Sequence, residues 1–158
     1  MSADPSALAR RARELVESGR EGLLSSLSVD LGGWPFGSWV PYCLDEEGCP
    51  AILISSLAEH RKNLEADPRA SLLVVDPSGA AAPARATLLA RFTIVPDDDR
   101  APLAARYLAR VPDAQRIVAM RDFAFFRGAI ERVRFIAGFG EIGWIDPAAW
   151  RSAIDPVS

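Results

Sequence analysis

Ser55, Ser56, His60, Arg61, Lys62 and Asn63 are the residues whose types and spacing could do chemistry. They fall within Pro50 to Val75, PAILISSLAEHRKNLEADPRASLLVV, where two apolar runs flank a polar segment that stops at Asp67-Pro68. Apolar runs of that length bounded by turn residues predict buried strands, and Leu57, Arg61 and Leu64 mark one stripe of a helix between them. Ser56 is placed to cap that helix, with Glu59 three positions on completing a capping box. Unpaired amide N–H groups and the helix dipole make such a junction favourable to an anion. The serine hydroxyls, His60 and Asn63 one turn apart, and two adjacent cations would add donors for a phosphate. The same residues also suit a plain capped surface helix with its basic side chains in water. Local spacing leaves both readings open.

The elements around this stretch can be read in turn. Asp4-Pro5 is a helix start, since proline at the first helical position loses no hydrogen bond, and Leu8, Ala12, Leu15 and Val16 give the helix over 4–19 an apolar stripe. Gly22 to Val29 fits a first strand. Ser38 to Leu44 fits a second one interrupted by Pro41, which removes a ladder donor and belongs at an edge, a bulge or beside a flat ligand. Asp45 to Gly48 closes a hairpin. After the central stretch, DPSGAAAP at 76–83 is a loop of small residues, and Ala84 to Val95 is a long strand with Arg85 at its entrance. Asp97-Asp98-Asp99 opens a helix interrupted at Pro112, with a shorter helix over 114–120. Phe123 to Ile136 returns to strand, Gly138-Phe139-Gly140 bends the chain, Ile142 to Ile145 resumes the strand, and Asp146-Pro147 starts a last helix. Strands with helices at the start, in the middle and at the end predict a mainly β fold with α, an antiparallel barrel decorated by helices.

Composition limits the function classes. The 158 residues, 49% hydrophobic and 25% charged, suffice for one core, so a single domain over 1–158 is expected, with the barrel over about 22–145. A net charge of −3 argues against nucleic acid as a partner, because polyanion binding draws on clustered cations. No apolar run is long enough to cross a bilayer and the N-terminus lacks the apolar core of a secretion signal, so no membrane partner and a cytoplasmic location are expected. Cys43 and Cys49 flank the hairpin turn at a spacing that matches no common zinc pattern, so two thiols and no metal are expected. No nucleophile elbow, paired-histidine zinc motif or dinucleotide-binding glycine pattern is present. Catalysis, if any, falls to a bound cofactor, with the protein supplying position and electrostatics.

The ordered series WPFGSWVPYCLDEEGCPAILISSLAEHRKNLEADPRASLLV, RATLLARFTIV, ARYLARVPDA, DFAFFRGAIERVRFIAGFG and Trp144 resembles the flavin-binding split barrels related to pyridoxamine phosphate oxidase, especially their HugZ-like and CREG-like branch. The resemblance spans about Ala9 to Asp146. It implies a six-stranded antiparallel split barrel with peripheral helices, a homodimer, and FMN in two symmetric grooves between subunits. It assigns the FMN phosphate to Ser55, Ser56, His60, Arg61 and Asn63, the isoalloxazine edge to Val40, Pro41 and Tyr42, and further contacts to Arg85 and Trp144. An FMN-dependent oxidoreductase acting on a small molecule is the activity implied first. A CREG-like binding protein without catalysis, or a HugZ-like protein that binds or degrades haem, is the alternative. Haem-degrading relatives use a histidine in an additional C-terminal region, whereas this chain has His60 alone, so the resemblance assigns His60 to the phosphate rather than to iron.

Overall fold

A computed structural model describes residues 4–138 and 140–154. Helix α1 (Pro5–Ser18) begins as the sequence predicts, with the Asp4 carboxylate accepting from the Ser6 N–H and Pro5 in the first turn. Its buried stripe of Leu8, Ala9, Ala12 and Val16 packs into the main core.

Among the described residues, eight strands form one antiparallel sheet: β1 (Glu21–Leu27), β2 (Pro35–Pro41), β3 (Cys43–Leu44), β4 (Pro50–Ser55), β5 (Arg69–Val75), β6 (Arg85–Ile94), β7 (Phe123–Ile136) and β8 (Ile142–Ile145). Their order is β2-β1-β5-β6-β7-β4-β3, with β8 also on β7. Strand β7 is long enough to serve two neighbours on one side: Phe123–Arg127 pair with β4, and Val133–Ile136 pair with β8. The two ends of the path, β2 and β3, are separated in the chain by Tyr42 alone, so the sheet must curl until its ends meet. That curling makes the split barrel. The strands number eight rather than the expected six for two local reasons. Pro41 has no N–H to donate, so the strand predicted over 38–44 divides there and the Tyr42 N–H turns to the Arg20 carbonyl. The glycine bend that separates β8 from β7 includes Phe139, which lies outside the described residues.

The barrel interior is filled by inward residues such as Leu24, Ile52, Leu72, Leu88, Phe126 and Val133. Helix α2 (Glu59–Ala66) packs against β1 and β6, and α3 (Asp97–Arg110) covers β3 over a smaller core of Cys43, Ala51, Leu103, Tyr107 and Phe125. A 3-10 turn (Pro112–Ala114) leads into α4 (Gln115–Val118), and α5 (Pro147–Ser152) returns to α1. Both cysteines are buried free thiols, and burial raises Cys43 to about 11. A thiol so raised stays protonated and packs as a small apolar group.

A polar clasp joins α1, α5 and the β3–β4 turn. The Trp150 indole N–H donates to the Gly48 carbonyl at 2.9 Å, the Arg13 guanidinium lies 5.2 Å from the Trp150 ring centroid, and Arg13 also pairs with Glu17. Gly48 has φ +80, and a Cβ there would stand 1.9 Å from Arg13 Nη1. Gly48→Ala therefore meets both left-handed backbone strain and a buried guanidinium, and a loss of about 2 kcal/mol of unfolding free energy is expected in urea titration. An unchanged midpoint would show that the turn relaxes freely.

Candidate functional site

Alternation along the strands sends one set of side chains into the barrel and the other outward. The outward set lines up across six strands as a single ladder row: Trp39 on β2, Leu23 on β1, Leu73 on β5, Thr87 on β6, Arg134 on β7 and Trp144 on β8. Trp39 is 64% exposed and Trp144 54%, with Leu23 also exposed between them. The adjacent row carries Val75, Arg85, Ile136 and Ile142. The result is an outer face on which apolar side chains alternate with the Arg134 and Arg85 guanidinium groups. The Arg134 guanidinium lies 5.3 Å from the Trp144 ring centroid, and Arg85 donates to the Pro83 carbonyl at 3.1 Å. Exposed aromatic and aliphatic side chains gathered on one face make it a candidate interaction or ligand site.

The β4–α2 junction is built differently from the sequence expectation. The helix starts at Glu59 with Ala58 as its N-cap residue, and no side chain caps it. The capping box predicted at Ser56 is therefore absent. The Ser56 N–H is held by the Asp122 carbonyl at 2.7 Å, which keeps that residue in continuation of the sheet, while the Ser55 hydroxyl accepts from the Leu57 N–H. Leu57, expected on the helix's apolar stripe, precedes the helix and is 90% exposed. Arg61 and Lys62 N–H groups both turn to the Ala58 carbonyl, which leaves the Glu59 and His60 N–H groups without a partner inside the helix.

The cations at this junction are already engaged. Arg61 is partly covered by Phe126, pairs with Glu65 at 2.9 Å and donates to the Asp122 carbonyl at 3.4 Å. Lys62 pairs with Asp30. Asn63 is fully buried: its amide nitrogen donates to Ser26 Oγ at 3.1 Å and its carbonyl accepts from the Val29 N–H at 3.1 Å. His60 is half-buried, and burial lowers its pKa below the usual imidazole value.

The shift at His60 has a definite sign. Folding favours the neutral ring, so the unfolded chain takes up a proton that the native chain resists, and stability falls as pH drops below about 6.5. Between pH 7.5 and 5.5 the wild-type urea midpoint is expected to fall further than that of His60→Gln. Equal falls would remove His60 as the cause.

Of the residues assigned to the isoalloxazine edge, Val40 and Tyr42 have buried side chains. The Tyr42 hydroxyl donates to the Val16 carbonyl under α1, and burial raises its pKa. Only backbone at these positions, with the half-buried Pro41, is left to face a ligand. The ten expected site residues thus fall into three groups: the α2 junction, the β2 bend, and Arg85 with Trp144 on the outer face. No hydrogen bond or ion pair joins the three groups among the described residues. Leu23, Trp39 and Arg134 were missed by sequence reasoning. The signal that marks them is phase, since Leu24, Val40, Val133 and Ile145 are inward and their neighbours must point out.

A family described as CREG, beta-barrel has a model that matches residues 3–152. By sequence the chain is 37% identical over 117 residues to the "Non-canonical heme oxygenase HOZ, chloroplastic" of Arabidopsis thaliana, covering 74% of this chain and 36% of that protein. It is 29% identical over 127 residues to "Heme oxygenase HutZ" of Vibrio cholerae, covering 75% and 70% respectively. The solved "heme binding protein from Mycobacterium smegmatis" superposes with a TM-score of 0.85 at 32% identity, covering 92% of this chain and 60% of that one. The matched region is thus about a third of the plant protein and under two thirds of the mycobacterial one. Among the described residues no helix is long and apolar enough to cross a membrane, and no group of three or more His, Cys, Asp or Glu is placed to hold a metal ion.

Proposed function

We propose that this chain, which belongs to the CREG β-barrel family, is a haem-binding protein that works as a homodimer. The observation that carries this reading is the outer row from Trp39 to Trp144 with Arg85 and Arg134 beside it. A flat apolar macrocycle edged by carboxylates suits such a face: aromatic and aliphatic side chains cover the ring, and guanidinium groups meet the carboxylates. The names of the plant, Vibrio and mycobacterial relatives agree with it. Haem, the alternative on sequence grounds, therefore takes first place over FMN.

The donor set offers one residue for the group's iron. The resemblance assigns His60 to the FMN phosphate; the haem reading gives it to the iron instead, because it is the sequence's single histidine and its neutral ring is the form that a metal takes. It lies on α2, apart from the outer row within one chain, and would share a ligand with that row only across a second copy. Cys43, Cys49, Tyr42 and Tyr107 are buried and closed to a ligand. When bound, haem supplies one-electron and oxygen chemistry. This chain's part is to present one imidazole, to neutralise carboxylates through Arg85 and Arg134, and to exclude water with Leu23, Trp39 and Trp144. A second copy is part of the proposal because one chain leaves its three groups of site residues unjoined. It would also cover an apolar face that costs free energy in water.

FMN is a second reading, favoured by the free N–H groups of Glu59 and His60 and by the exposed Ser56 hydroxyl. Against it stand the Glu59 carboxylate in the first turn and the internal pairing of Arg61 and Lys62. The absorbance spectrum of the purified protein separates the two. Haem gives a Soret band, as isolated or after haemin is added, whereas flavin bands that persist through dialysis would put FMN first.

A further inference from the structure

The loop between β1 and β2, residues 28–34, contains Gly32 and Gly33 yet is tied down at every turn. The Ser28 N–H donates to the Trp34 carbonyl, the Gly33 N–H to the Ser28 carbonyl, and the Leu31 N–H to the Ser28 hydroxyl. Two ties from α2 hold it from outside: Asn63 accepts from the Val29 N–H, and Lys62 pairs with Asp30. Asn63 reaches this loop from full burial while its amide nitrogen holds the buried Ser26 at the end of β1. One primary amide therefore keys the helix that carries His60 to both a strand and a loop.

What the loop presents is unusual for so ordered a segment. Leu31 is 65% exposed and Trp34 72% exposed, with Val29 exposed beside them. Large apolar side chains held in water by a network of hydrogen bonds are a cost unless something covers them. His60 precedes Asn63 by one helical turn, so the tie that fixes the loop also fixes it relative to the imidazole.

We propose that Asn63 is a positioning residue for the prosthetic-group site, and that it locks loop 28–34 as one wall, with Leu31 and Trp34 the side chains that cover the ligand. This rests on the haem reading above. Asn63 thus acts through the loop instead of touching a phosphate.

The test uses the full chain, with hydrogen exchange at the Val29 amide read without ligand and haemin titration followed in the Soret region. Asn63→Ala should speed Val29 exchange, weaken haemin binding about tenfold or more, and move or broaden the Soret band. Asn63→Asp should restore all three at a pH low enough to keep the buried side chain a neutral acid, which then accepts from the Val29 N–H and donates to Ser26 Oγ as the amide does. Trp34→Ala should weaken haemin binding while leaving Val29 exchange as in wild type. If Asn63→Ala folds poorly, Ser26→Ala, which removes one bond of the two, should show the same changes in smaller measure. Faster Val29 exchange with unaltered haemin affinity and Soret band in Asn63→Ala overturns the positioning role alone. A wild-type chain that takes up no haemin overturns the haem reading and the wall together.

Discussion

Trp150→Ala is expected to lower the unfolding free energy by about 4 kcal/mol and the melting temperature by about 10 °C. Trp150 is wholly buried, and among fully buried side chains it is one of the largest. Its removal leaves a void between α1, α5 and the barrel, strips the Gly48 carbonyl of its donor, and takes the aromatic face away from a guanidinium that is itself buried. Each effect adds to the cavity term, since a buried polar group left unpaired costs more than the bond it loses. Trp150→Phe keeps a ring under Arg13 but not the indole N–H, so it should recover part of the loss and leave about 2 kcal/mol, from the unpaired Gly48 carbonyl and the smaller ring. Differential scanning calorimetry of the two variants checks both values. A Trp150→Ala variant within a degree or two of wild type would mean that α5 contributes little to the barrel.

The second large effect is expected on the outer face. Leu23 stands in the row from Trp39 to Trp144, exposed and paired with both Trp39 and Leu73. In an isolated barrel Leu23→Glu places a carboxylate in water at small cost. In a dimer that buries this face the same carboxylate must lose its hydration, so a charge near the middle of the patch should weaken association by about 100-fold. Sedimentation velocity should show a dimer for wild type and a monomer for Leu23→Glu, both melting cooperatively. Haemin affinity should fall with the dimer, because the groups separated within one chain then stay apart. A wild-type chain that sediments as a monomer, or a Leu23→Glu chain that remains dimeric and binds haemin as before, would contradict the shared groove.

Local chemistry explains which elements the sequence made legible. Asp4-Pro5 starts a helix wherever it occurs, and the Asp45–Gly48 turn and the runs Ala51–Ile54 and Leu72–Val74 carry their pattern in adjacent residues. The two departures at the α2 junction depend on distant partners. Ser56 fails as a cap because Asp122, far along the chain, holds its N–H in line with the sheet. Asn63 reads as a surface donor until Ser26 and Val29 are folded against it, and nothing in HRKNL announces that meeting.

The proposed site was legible in its parts more than in its assembly. Trp144 and Arg85 could be named from motif resemblance, but their companions Leu23, Trp39 and Arg134 emerge only when strand register aligns six strands. Phase along each strand is a local property, and register across strands is not. Haem stands ahead of FMN in the proposal on the outer row, with the relatives and the engaged cations of the α2 junction in support, none of them visible in the spacing of Ser55, Ser56 and His60.

Haemin titration of the wild-type chain beside His60→Ala tests haem binding most directly. The wild type should develop a Soret band distinct from that of free haemin and, if the proposed dimer carries one site per protomer, saturate at one haem per chain. His60→Ala should bind more weakly and with a shifted band, since the sequence holds no second histidine to replace it. A wild-type spectrum that stays that of free haemin at every ratio would contradict haem binding by this chain.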